Sequence, residues 1–81
     1  MVTANEIEAR IRAALPDAHV IVADTTGGGD HWAATVVTPA FDGKMLLERH
    51  RMVYAALGEL MRAEIHALAL TTDTPEEHKR T

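Results

Sequence analysis

The chain has 81 residues, a net charge of −4 with histidines neutral, and no cysteine. That length supports one domain with a small core, burying roughly 60–65% of the surface its unfolded form exposes. The missing cysteine excludes a disulfide framework, thiolate catalysis and any thiolate metal ligand from this chain, and the acidic balance leaves phosphate binding to local patches.

Met1-Val2-Thr3-Ala4-Asn5-Glu6 turns polar at once, and no apolar run is long enough to span a bilayer, so a soluble cytoplasmic protein is expected. Thr3-Ala4-Asn5-Glu6 fits a capping box, with the Thr3 hydroxyl aimed at the Glu6 amide and the Glu6 carboxylate reaching back. Ile7, Ile11, Ala14 and Leu15 recur at helical spacing until Pro16 removes a donor, which predicts a helix over 3–15. His19-Val20-Ile21-Val22-Ala23 is β-branched and bounded by turn residues, hence a strand. The polar stretch 24–30, with Gly27-Gly28-Gly29, reads as a mobile loop joining it to a second strand over 32–37 in an antiparallel hairpin. In that strand Trp32, Ala34 and Val36 share one face, and Ala33, Thr35 and Val37 the other.

Phe41-Asp42-Gly43-Lys44 makes a turn that pins one aromatic into the core. Over 46–64 the apolar stripe runs through Leu46, Val53, Leu57, Leu60 and Met61, with Leu47 and Tyr54 on its shoulder and His50 on the stripe itself. Gly58, costing about 1 kcal/mol against Ala in a helix interior, marks a break into two helices. Residues 65–71 are β-like. Pro75-Glu76-Glu77 is able to start one more helical turn, and 73–81 reads as a mobile tail. The whole is a single α+β domain.

The five histidines invite a metal hypothesis, yet no pair has the i, i+4 spacing of a helical site and HExxH is absent. His19 and His78 read as solvent-facing, and His50 as a boundary histidine bonded to backbone. His66 differs, because it lies between a helix end and a strand; ligand and capping roles are both open to it. The triple glycine offers converging amides to an anion but lacks a P-loop ending, which favours a plain hairpin connection. His31 closes that loop. Lys44, Arg49 and Arg51 form a small basic cluster diluted by Glu48, Glu59 and Glu64. Serine is absent and no nucleophile has a base at a recognisable spacing, so no enzyme is indicated.

Phe41-x-Gly43, Arg49-His50-Arg51-x-Val53-Tyr54-x-x-Leu57, Ile65-His66-Ala67-Leu68 and Thr72-x-Thr74-Pro75 together resemble the BolA family. The likeness extends to Leu15-Pro16 and Asp30-His31-Trp32. It implies an α-β-β-α-α-β fold related to the type II KH domain, a three-stranded sheet with helices on one face. The KH nucleic-acid clamp GxxG is missing, since Leu57-Gly58-Glu59-Leu60 has one glycine. The resemblance further implies pairing with a monothiol glutaredoxin around a shared [2Fe–2S] cluster, present only in that complex. A glutaredoxin cysteine and glutathione would hold one side and His66 would be a ligand on the other, a role in iron–sulfur trafficking or redox-linked regulation. Imidazole suits iron and raises the reduction potential relative to all-thiolate ligation. Many relatives place a second ligand, Cys or His, where this chain has Gly28. His31, the remaining imidazole of a short loop, is then the candidate second metal ligand, with a partner group, solvent or no cluster as the other outcomes. The rival reading is a KH-like, DNA-binding transcription regulator of the stress and morphology type, using Lys44, Arg49 and Arg51. Alone, the chain is expected to be a monomer or weak homodimer.

Overall fold

The computed structural model describes residues 2–65 and 67–80. Helix α1 (Ala4–Ala14) is followed by β1 (His19–Asp24), β2 (His31–Val37), a 3₁₀ turn (Pro39–Phe41), α2 (Leu46–Leu57), α3 (Leu60–Ala63), β3 (Ala67–Asp73) and α4 (Pro75–Lys79). Thr3 caps α1 by accepting the Glu6 amide at 3.2 Å. Its hydroxyl also donates to the Glu6 carboxylate at 3.4 Å, so the box closes through the two side chains. Ile7 and Ile11 carry the buried stripe, and the Leu15 amide makes the last helical bond before Pro16.

The sheet runs in the order β1-β2-β3. The hairpin is antiparallel, with His19 opposite Val37 and Asp24 opposite Trp32. Strand β3 lies parallel to β2, with His31 opposite Ala67 and Val37 opposite Asp73. A parallel neighbour needs a crossover, which α2 and α3 supply. Period-two alternation sends Val20, Trp32, Ala34 and Val36 to the helical side, where they meet Ile7, Ile11, Phe41, Val53 and Leu57. On the opposite face Ile21, Ala23, Ala69 and Thr71 of the outer strands are exposed, Ala33 and Thr35 of the central strand half-buried, and Val37 buried. Full burial of Phe41 alone contributes about 2–3 kcal/mol.

Gly58 ends α2 at φ 53°, its amide bonded to the Tyr54 carbonyl, and the chain turns there into α3. Glycine takes that left-handed φ without the penalty other residues incur. Two expectations need correction. Leu46 does not face inward: it is 64% exposed, as Leu47 is at 60%, because Arg49 takes the inward position one turn before Val53. Arg49 lies over Phe41, its guanidinium carbon 5.8 Å from the ring centroid. And the segment expected to fray from 73 onward continues β3 to Asp73 and then forms α4. The Thr74 hydroxyl accepts the Glu77 amide at 3.2 Å and the Glu77 carboxylate accepts the Thr74 amide at 2.8 Å. Among the described residues no helix is long and apolar enough to cross a membrane.

Candidate functional site

The glycine loop is organised by Asp24. One carboxylate oxygen accepts the amides of Thr26 (3.2 Å) and Gly27 (2.9 Å), and the other accepts Gly29 at 2.9 Å. The Gly28 amide donates to the Thr26 hydroxyl at 3.2 Å. Amides that glycine spacing would offer to an external anion therefore hold an internal one, and the loop expected to be mobile is a closed hydrogen-bonded turn. Gly28 itself has no left-handed φ. A Cβ there would lie 3.2 Å from Asp30 Oδ1 and 3.4 Å from Thr26 Oγ1, both ends of movable side chains.

That turn delivers His31 to the first position of β2. The His31 carbonyl accepts the Thr25 amide at 2.9 Å and the Thr25 hydroxyl at 3.2 Å. On the other side, the carbonyl of Asp30 accepts the Ala67 amide at 3.2 Å. The backbone that carries the imidazole is thus fixed by both neighbouring strands, while 41% of the side chain stays exposed. Asp30 Oδ2 lies 3.9 Å from His31 Nε2 and adds negative potential beside the ring. A shallow cleft of about 400 Å³ adjoins this corner, lined by Asp30, Met61, Arg62, Ala63, Glu64 and Ile65. His66 lies outside the described residues; its chain neighbours Ile65, buried, and Ala67, exposed and in register with His31, are within them. Among the described residues no three His, Asp or Glu side chains gather into a metal-binding group. The chemistry of His31 fits one imidazole ligand to iron, presented at a rim a second molecule can reach.

The basic cluster separates in the fold. Arg49 donates through Nε to the Lys44 carbonyl (2.9 Å) and through Nη1 to the Thr72 carbonyl (3.1 Å). It also grips both carboxylate oxygens of Glu77, at 2.6 and 3.2 Å. Only 12% of its side chain is exposed. Arg49 is a clamp joining α2, β3 and α4, not a contact for phosphates. The Glu77 bond raises its pKa, and in return holds the Glu77 carboxyl at about 2, with the Thr74 amide as second cause. Lys44 and Arg51 are exposed.

His19 and His78 are exposed, His78 Nδ1 lying 3.7 Å from Asp73 Oδ2. His50 differs from its expected backbone bonding. Its Nε2 is buried with no hydrogen-bond partner among the described residues, and the ring meets Tyr54 edge-on at 6.3 Å. Sequence reasoning missed Asp24 and Glu77. Each had a local signal: an Asp opening a glycine turn, and Thr74-Pro75-Glu76-Glu77 as a capping box.

The family model for BolA-like proteins matches residues 5–77. Protein BOLA2 of Arabidopsis thaliana is 47% identical over 81 residues, covering 98% of this chain and 86% of that protein. The DNA-binding transcriptional regulator BolA of Escherichia coli K12 is 34% identical over 84 residues, covering 95% and 80%. A solved BolA homologue from Coxiella burnetii superposes with a TM-score of 0.83 at 44% identity, covering 99% of this chain and 100% of that one.

Proposed function

The chain belongs to the BolA-like family, and on that premise we propose that it is a non-enzymatic adaptor for a monothiol glutaredoxin. In this reading His66 and His31 supply imidazole ligation to a [2Fe–2S] cluster shared with the glutaredoxin and glutathione. The observation that carries it is the mounting of His31: a half-exposed imidazole on backbone pinned by Thr25, just past β1, and by β3, and in register with Ala67, the residue after His66. Rigid presentation matters because a ligand already held in place loses little freedom when a second protein brings the metal.

The residues divide the work. Asp24 closes the loop so that His31, not a loop-borne ligand at Gly28, leads into β2. Asp30 biases the local potential toward a cationic guest. The cleft beside α3, with Arg62 and Glu64 on its wall, gives the partner a polar surface to seat against. When bound, the cluster would supply one-electron chemistry and a transferable iron–sulfur unit, at a potential raised by imidazole ligation.

A second reading, DNA-binding regulation, is favoured by the likeness to the DNA-binding transcriptional regulator of Escherichia coli and by the exposure of Lys44 and Arg51. It loses Arg49 to the internal clamp and works against a net charge of −4. Anaerobic co-expression with a monothiol glutaredoxin, followed by gel filtration, separates the two. Iron and sulfide eluting with both chains at 1:1 supports the adaptor; separate elution of the chains removes it.

A further inference from the structure

Residues of a strand in a parallel ladder alternate, one turning its amide and carbonyl to the neighbour and the next turning both away. The Ala67 amide donates to Asp30 and the Asp73 carbonyl accepts from Thr38, so Ala67, Ala69, Thr71 and Asp73 face β2. Leu68, Leu70 and Thr72 therefore turn outward, on the free edge of the last strand in the sheet. Arg49 takes the Thr72 carbonyl at 3.1 Å and closes that end. The amides and carbonyls of Leu68 and Leu70 remain on the edge. Both leucines are half-buried, and Ala67, Ala69 and Thr71 between and beside them are exposed. The opposite edge of the sheet differs: bonding between Thr25 and His31 sets Val20, Val22 and Asp24 outward on β1, where Val20 is only 4% exposed and Asp24 puts a charge on the edge. Before Asp73, the described part of β3 carries no charge, proline or bulge, the devices by which natural edge strands avoid pairing.

We propose that the β3 edge pairs antiparallel with the same edge of a second copy of this chain, with the two-fold axis at Ala69. Directly opposed residues in an antiparallel ladder exchange both hydrogen bonds. Leu68 opposite Leu70 of the second copy, and the reverse, then satisfies the edge amides and carbonyls of both leucines in both copies. The interface is self-complementary and closes at two chains. Its register is set by the clamp: sliding toward the C-terminus brings Leu68 against Thr72, whose carbonyl Arg49 already holds. The two Ala69 residues meet across the axis at a close pair, where their small side chains fit, and Asp73 lies outside the paired residues. Cluster ligation plays no part in this pairing.

Because the chain has no cysteine, single cysteines report the register without background. Ala69→Cys is expected to form a disulfide-linked dimer under mild oxidation. Thr71→Cys is not, since its sulfurs would lie roughly 13 Å apart along the paired strands. Sedimentation velocity of the unmodified chain is expected to shift from monomer to dimer with rising concentration. Ala69→Lys, on the exposed face and setting like charges across the axis, is expected to stay monomeric with an unchanged circular dichroism spectrum. A monomer at every concentration, or cross-linking of Thr71→Cys as fast as Ala69→Cys, would overturn the pairing.

Discussion

Arg49 and Glu77 are 28 residues apart in sequence and meet as a two-pronged ion pair, Nη1 to Oε1 at 2.6 Å and Nη2 to Oε2 at 3.2 Å. The same guanidinium holds the carbonyls of Lys44 and Thr72. One side chain thereby fastens α4 and the end of β3 to the start of α2. Arg49→Ala is expected to cost about 1–3 kcal/mol, lowering Tm by roughly 5–20 °C, because it strands the Thr72 carbonyl and bares one side of Phe41. Arg49→Lys recovers little of this, lacking the fork. A thermal melt of Arg49→Ala matching the parent would show the clamp to be idle.

Acid should loosen the same joint. Glu77 is held at about 2 against its ordinary 4.5, chiefly by the Arg49 hydrogen bond. A carboxyl whose pKa is lower folded than unfolded contributes stability that is complete above 4.5 and is lost as pH falls toward 2. Melts between pH 5 and pH 2 are expected to show this loss in the parent and a shallower slope in Glu77→Gln. Equal slopes would assign acid sensitivity elsewhere.

At Gly28 the backbone accepts an L side chain and the nearest atoms belong to movable groups. Gly28→Cys is therefore expected to fold with a stability within about 1 kcal/mol of the parent. In the glutaredoxin complex it should add thiolate-to-iron absorption and lower the potential relative to imidazole. A cysteine that remains fully reactive to thiol reagents in the loaded complex would show that the loop does not reach the metal.

On duplex DNA at physiological salt the chain is expected to show no retention, since Arg49 is committed internally and the net charge is negative. Filter binding across a salt series checks this. Retention that drops in Arg51→Ala but not in Arg62→Ala would move the assignment to the DNA-binding reading.

Much of the fold was legible in local signals. Thr3 and Pro16 bracket α1, alternation at Trp32, Ala34 and Val36 sets the buried face of β2, and Gly58 divides α2 from α3. Periodicity failed at Leu46, because an arginine taking an inward place is decided by a carboxylate 28 residues away. The same long-range pairing turned the expected loose tail into a capped helix. His31 was identifiable as a candidate from its place after the loop; what fixes it, Asp24 within and β3 beside, depends on three-dimensional contacts that spacing does not encode. Arg49 and Arg51 look alike in sequence, and only packing separates a clamp from an exposed cation.

Imidazole ligation of a shared cluster is tested most directly by the visible absorption and circular dichroism of the anaerobically assembled glutaredoxin complex, compared across the parent, His66→Ala and His31→Ala. Loss or reshaping of the iron–sulfur bands in both variants, with the apo chains still folded, is the predicted result. Bands unchanged in His66→Ala would contradict it.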